Sequence, residues 1–228
     1  MQLTDRFQIK SEEQLIDFLN SQPVGRICSI DMNGFPQIIP MNFVFVKTHH
    51  ELKVDKHAIP NSSAAIYMHS HPFGEKIENI KRNSKVGFEV DQHICFLPSY
   101  YFHPTDASQA DTLYISVVIK GNSFIIENPF EKAFALNRLM QKYQTEGFYE
   151  TLDESMRSVH AVSVIKVIPQ DIRGKYKIGQ HWTPNYRLKM AEKIIGREGV
   201  VNSKQILKIM GLEIDHAGKL YVKREPVM

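Results

Sequence analysis

Apolar and polar positions change their period along the chain, and the changes mark its elements. After Ser11, the residues Leu15, Ile16, Phe18 and Leu19 supply an apolar face. Gln14 stands three residues beyond the serine, the spacing of a capping box, so a helix is expected up to Gln22-Pro23. Val24 to Asp31 is apolar and β-prone, and Asn33-Gly34 is a strong turn signal. Pro36 to Val46 then returns as a second strand, which makes a hairpin. Ala65 to Ser70 reads as a strand. A polar turn, a short helix from Gly74 to Arg82, a strand from Lys85 to Asp91 and a β-prone stretch from Gln92 to Leu97 follow. Between Lys47 and Ala65 the pattern is that of an exposed loop, with Glu51 to Asp55 as a candidate strand.

Pro98 to Asp111 reads as a long loop, and loops of that length in compact domains usually serve function or motion. Leu113 to Ile126 is a β-branched strand with a break expected at Gly121. Asn128 is an N-cap, Pro129 takes the first helical position and Glu131 completes the start. Phe130, Phe134, Leu136, Leu139, Met140 and Tyr143 keep helical spacing, and Gly147 stops the helix. Val159 to Ile168 alternates as a strand. Gly174 to Trp182 (GKYKIGQHW) reads as a polar, aromatic turn region. Asn185 to Ile195 is an amphipathic helix, Ser203 to Met210 a short helix, and Leu212 to Val222 a strand pair turned at Ala217-Gly218. Six or more mostly antiparallel strands with few helices between them predict a mainly β fold, closed or nearly closed into a barrel with flanking helices. Residues 1–195 are read as that domain and 196–228 as a small C-terminal extension.

Composition narrows the picture modestly. Of 228 residues, 43% are hydrophobic, enough for a sizeable core. The 28 Lys and Arg against 25 Asp and Glu give a net charge of +3, too mild for an electrostatic nucleic-acid footprint. MQLTDRFQIK lacks the apolar core of a signal peptide, and no apolar run spans a membrane, so a cytoplasmic protein is expected. Cys28 and Cys95 sit in apolar runs and read as reduced thiols.

Candidate chemistry clusters between Pro40 and Lys76. Pro40 donates no ladder hydrogen bond, which frees the strand edge near Met41 and Asn42; a kinked edge strand is the bland alternative. His69, Ser70 and His71 end a strand, and Lys76 lies in the first turn of the next helix. A hydroxyl and a cation beside a helix N-terminus suit a phosphate, although from spacing alone a solvated lysine and a turn serine are the stronger reading. His69 and His71 with His49, His50, His57, His93 or His103 offer metal ligands, but neither HExxH nor a paired-cysteine spacing occurs, and no metal is expected. GxSxG, GxGxxG and GxxxxGK[ST] are absent, which leaves a nucleophile elbow, a dinucleotide fold and a P-loop without support.

Taken together, VGRICSIDMNGFPQIIPMNFVF and IYMHSHPFGEKIENIKRNSKVGFEVD resemble the pyridoxamine-5′-phosphate-oxidase-like, FMN-binding split barrels, nearest the nitroimidazole-resistance-protein subgroup. The shared pattern is a GR strand, a D-x-x-G-x-P turn, a PxNFV strand, a [FY]xHS element, a GxK helix start and an RNxxVxFEVD strand. YISVVIKGNSFIIENPFEKAFALNRLM continues it, and the likeness covers roughly residues 20 to 170. The resemblance implies an antiparallel split β-barrel, FMN as cofactor and a homodimer with FMN at the subunit interface. Ile39, Pro40, Met41, Asn42 and Phe43 would line the isoalloxazine. His69 and Ser70 would sit by the flavin, Lys76 would pair with the phosphate and Ser116 would contribute from the next strand. Lys175, Gln180 and Trp182 would close the site. His69 and His71 are the candidate proton donors of a flavin-dependent oxidoreductase acting on a small molecule, nitro-compound reduction being one option. The chain departs from the pattern in an extra stretch between Val46 and Ile66, in its tail, and in lacking the RLHDR-like run of true pyridoxamine-phosphate oxidases. GKYKIGQHW resembles a segment of split-barrel proteins described as negative transcriptional regulators. A flavin sensor is therefore a rival expectation, and a haem-binding barrel is a third.

Overall fold

The computed structural model describes residues 4–47 and 64–227; residues 48–63, with the candidate strand Glu51 to Asp55 and with His49, His50 and His57, lie outside the described residues. Among the described residues nine strands and five α-helices follow in order: α1 (Glu12–Ser21), β1 (Gly25–Ile30), β2 (Pro36–Met41), β3 (Val44–Lys47), β4 (Ala64–Ser70), α2 (Glu75–Arg82), β5 (Lys85–Leu97), β6 (Asp111–Ile126), α3 (Pro129–Tyr143), α4 (Arg157–His160), β7 (Ser163–Lys177), α5 (Pro184–Ile209), β8 (Leu212–Ile214) and β9 (Leu220–Val222). The first seven strands form one sheet in the order β2-β1-β5-β6-β7-β4-β3, and β8 pairs with β9. The pairings of β1 with β2 and β5, and of β4 with β3 and β7, are antiparallel.

That order fixes the architecture. β2 and β3 stand at opposite ends of the sheet, yet only Asn42 and Phe43 separate them in the chain. A link of that size reaches roughly 7–10 Å when extended. The sheet must therefore curl until its two edges approach, as in an antiparallel split β-barrel, and the split runs past Asn42-Phe43. The mainly β class with flanking helices is the one expected.

The chain divides into two compact units, Leu15–Val90 with Val117–Arg173, and Met1–Gln14 with Asp91–Ser116 and Gly174–Met228. In the first, Val44, Val46, Ala65, Tyr67 and Val164 of the strands pack against Ala135 and Leu139 of α3. In the second, Cys95, Leu97 and Leu113 pack with Met190, Ala191, Ile194 and Leu207 of α5 and with Leu212.

Local signals placed the helix starts well. Gln14 N–H donates to Ser11 Oγ at 3.3 Å, and Asn128 Oδ1 accepts from the N–H groups of Phe130 and Glu131. Several expectations need correction. The hairpin loop is longer than a two-residue turn: Asp31 caps it by accepting from Asn33 and Phe35, and only Gly34 takes positive φ (+87°). The strand expected from Pro36 to Val46 breaks at Asn42-Phe43 rather than at Pro40, because an edge strand tolerates proline. β6 runs unbroken through Gly121, where an added Cβ would collide with the Ile168 carbonyl; the glycine permits close approach. β7 begins later than Val159 and extends through Gly174 to Lys177, so half of the expected turn region is strand; Gln8 forms a bridge with Lys175 there. The long loop after Leu97 carries two 3-10 turns, Ser99–Tyr101 and Ala107–Gln109. The two expected C-terminal helices are joined as α5, interrupted by non-helical φ/ψ at Gly199. Among the described residues both cysteines are free.

Candidate functional site

β2 alternates, and the alternation sorts its side chains between two faces. Pro36, Ile38 and Pro40 are exposed. Gln37 and Met41 point the other way, toward α2: Gln37 donates to the Glu75 carboxylate at 2.5 Å, and Met41 Sδ lies 3.8 Å from Lys76 Nζ. By the same alternation Ile39 shares that second face. Asn42, in the link to β3, is exposed, whereas Phe43 is fully buried, its ring edge-on to Phe88 at 5.1 Å.

A polar network seats α2 on the hairpin. Asn79, 1% exposed, donates to Gln37 Oε1 at 3.1 Å and reaches Ser29 Oγ at 3.4 Å. Arg82 donates to Asn79 Oδ1 at 2.8 Å and to the Ile30 carbonyl at 2.7 Å. Ile77 and Ile80 fill the apolar space beneath. The network fixes the helix rotation, and that rotation carries Lys76 to the end of β2. Partial burial holds the Lys76 amine below the usual lysine range. No carboxylate pairs with it among the described residues. The start of α2 at Gly74 (φ +137°) has no side-chain cap, and Ile77 N–H donates to the Gly74 carbonyl at 2.9 Å. A cation without a counter-ion beside an uncapped helix start favours an anion.

The remaining expected residues fall as follows. Ser70 ends β4, opposite Ser163 of β7; it is 8% exposed, and its hydroxyl donates to the His71 carbonyl. His69 is exposed on β4. His71 lies just past the strand, and its Nδ1 accepts from Phe73 N–H at 3.3 Å. Phe73, Phe35 and Ile38 stand exposed in the same unit. Ser116, Lys175, Gln180 and Trp182 belong to the other unit. There Gln180 is occupied locally: its Oε1 accepts from Ile178 N–H, and its Nε2 donates to the carbonyls of Arg6 and Tyr176. Trp182 packs edge-on against Tyr186 and beside His181. Lys175 Nζ lies 5.8 Å from the centre of the Tyr114 ring. The structure thus brings Ile39, Met41 and Lys76 together on one face. It puts Pro40 and Asn42 on the open side of β2 and turns the Phe43 ring into the interior. Among the described residues no three His, Cys, Asp or Glu side chains group as metal ligands.

Two groups escaped the sequence reading. One is the Ser29–Gln37–Asn79–Arg82 network, for which an asparagine at a helix-interior position with apolar neighbours is the available signal. The other is the last turn of α3, where Tyr143 reads as one more apolar position although its phenol contacts Phe43.

The family whose model matches the chain is described as pyridoxamine 5′-phosphate oxidase, and the match spans residues 11–176. No curated protein matches. Among solved structures, a candidate 5-nitroimidazole antibiotic resistance protein from Bacteroides thetaiotaomicron shares 24% identity over 74% of this chain and 85% of its own, with a TM-score of 0.55. The flavocytochrome Anf3 from Azotobacter vinelandii shares 14% identity over 77% and 72%, with a TM-score of 0.57. The FAD and heme binding protein from Mycobacterium smegmatis shares 14% identity over 75% and 73%, with a TM-score of 0.53. At these identities the likeness is one of fold.

Proposed function

The chain belongs to the pyridoxamine 5′-phosphate oxidase family, and from that premise we propose that it holds FMN at the split of the barrel and acts as a flavin-dependent oxidoreductase on a small molecule. The observation that carries this reading is Lys76, a partly buried cation with no carboxylate partner among the described residues, held at Met41 beside the uncapped start of α2. The donor set suits a phosphate: one amine beside a helix start that carries no side-chain cap. The ring side has exposed apolar surface at Ile38 and Pro40 and a free strand edge at Asn42. When bound, the flavin supplies the hydride or electron transfer. The chain's own residues anchor the phosphate, present backbone groups to the ring edge and exclude water. His69 and His71 are the proton donors in this reading, and Ser70 stands beside them in a cytoplasmic homodimer.

The test is a titration of the purified protein with FMN and with riboflavin, read by flavin fluorescence. Wild type prefers FMN, and Lys76→Met loses that preference by about tenfold to a hundredfold, the worth of a charge-assisted hydrogen bond. Equal affinity of wild type for both ligands would remove Lys76 from the phosphate. Turnover with NAD(P)H and a nitroaromatic probe separates an oxidoreductase from a flavin sensor, and unchanged rates in both His69→Ala and His71→Ala would remove the histidines from the chemistry. A haem-holding barrel is the second reading, favoured by the two fold neighbours described as a flavocytochrome and as an FAD and heme binding protein. A Soret band without a flavin spectrum would put it first.

A further inference from the structure

The link Asn42-Phe43 is held from behind by a helix far away in sequence. The Tyr143 hydroxyl accepts from Phe43 N–H at 2.8 Å and lies 3.0 Å from the Phe43 carbonyl and 2.7 Å from the Pro23 carbonyl, to one of which it donates. Phe43 belongs to neither β2 nor β3, so its backbone groups have no ladder partner at this point of the sheet. The phenol therefore serves the Phe43 N–H, and its one proton goes to the Phe43 or the Pro23 carbonyl. Lys142, the preceding residue of α3, places Nζ 3.8 Å from the centre of the Phe43 ring and donates to the Leu19 carbonyl at 3.3 Å. The ring itself is wedged against Phe88. Ring and N–H of Phe43 are both held, while its neighbour Asn42 stands exposed at the barrel split. A residue whose own position is over-determined sets the direction in which the adjacent backbone faces.

We propose that Tyr143 is a positioning residue for the cofactor: by clamping the backbone of Phe43 it fixes the orientation in which Met41 and Asn42 meet the flavin ring. Lys142 supports it from the same helical turn. The proposal rests on the flavin reading above. It assigns to α3 a role at the site without contact with the ligand. A preorganised strand edge binds a flat ring more tightly than one that must order on binding.

The test compares wild type with Tyr143→Phe, Lys142→Met and Asn137→Ala by FMN titration and by the visible-region circular dichroism of bound FMN. Tyr143→Phe keeps the ring and removes the hydroxyl. Its Kd for FMN rises about tenfold, the loss of one or two net hydrogen bonds, and the visible dichroism changes. Lys142→Met raises Kd about threefold, toward the lower end of what a cation–π contact contributes. Asn137→Ala is the structural control. It lies on α3 and breaks the paired hydrogen bonds to Leu152, so it lowers stability while Kd and dichroism stay as in wild type. Tyr143→Phe that binds FMN with wild-type affinity and dichroism overturns the proposal alone. Asn137→Ala that weakens FMN as much as Tyr143→Phe also overturns it, because general loosening of α3 would then be enough. Wild type that takes up no FMN overturns the flavin reading and this proposal with it.

Discussion

Lys166→Met examines the buried charge at the other end of α3. Lys166 Nζ donates to Glu131 Oε1 at 2.7 Å, and the two side chains are 6% and 13% exposed. The Tyr67 hydroxyl donates to the same oxygen at 2.9 Å. Burial first, then the Glu131 charge and its hydrogen bond, push the Tyr67 phenol far above its usual range, so it remains a neutral donor. Removing one partner of a buried pair costs about 3–5 kcal/mol, because the other charge is left without compensation. Here Glu131 keeps the Tyr67 bond and sits in the first turn of α3, where the helix dipole favours a carboxylate by about 0.3–1 kcal/mol. The lower end follows: Lys166→Met should cost about 3 kcal/mol, and the melting temperature should fall by about 6–12 °C at this chain length. Lys166→Met with Glu131→Gln removes both charges and leaves an amide oxygen for Tyr67. That double variant should return to within about 1 kcal/mol of wild type. Urea unfolding followed by far-UV circular dichroism gives the cycle. A single variant that loses under about 1 kcal/mol, or a double variant as unstable as the single, would refute the assignment of the cost to an uncompensated carboxylate.

Three further outcomes are expected. Burial lowers the Lys142 amine to about 8 from an unfolded value of 10.5; the unfolded chain holds the proton longer, so stability rises with pH from about 8 toward 10.5. Urea midpoints of wild type minus those of Lys142→Met should climb across that window, and a flat difference would show the amine to be well hydrated. Gly25→Ala should cost about 1–3 kcal/mol by overpacking, since the new Cβ collides with the ring of Phe88, which is 1% exposed and held by Phe43; an unchanged urea midpoint would mean that the ring swings aside. Gln180→Ala leaves the Ile178 N–H and the Arg6 and Tyr176 carbonyls without their side-chain partner, at about 1–3 kcal/mol. Hydrogen exchange at the Ile178 amide should accelerate, and wild-type protection there would contradict the geometry.

What was legible in the chain divides by sequence distance. Ser11 and Asn128 bond backbone N–H groups within three residues of themselves, so their caps could be read directly. Lys76 was legible for the same reason: a cation one residue into a helix is a local fact. The underread strands carry glycines that look like breaks, and each glycine answers to a distant partner. An added Cβ at Gly121 meets the Ile168 carbonyl, and one at Gly174 meets Ile9 Cδ1 at 2.6 Å. Pro40 looks like the obstacle in the strand expected from Pro36 to Val46, yet β2 runs through it to Met41 and the interruption is at Asn42-Phe43. On the outermost strand of the sheet, however, a proline gives up no ladder bond.

The candidate site depends on more distant pairings than the helix caps do. The corner proposed for the phosphate joins the end of β2 to the start of α2, where Lys76 lies 35 residues beyond Met41, through Gln37 and Asn79. The proposed ring side exists only because the sheet closes. Asn42 is exposed because β2 and β3 lie at opposite edges of seven strands and the chain must cross between them. The crossing leaves the polar groups of Phe43 without ladder partners, and a buried orphan amide is costly unless another group serves it. A phenol from 100 residues away supplies that partner. The phenol accepts from the Phe43 N–H and donates to a carbonyl of Phe43 or Pro23, which an apolar residue of equal size would not. The demand for Tyr143 thus arises from barrel closure, and no pattern inside α3 announces it.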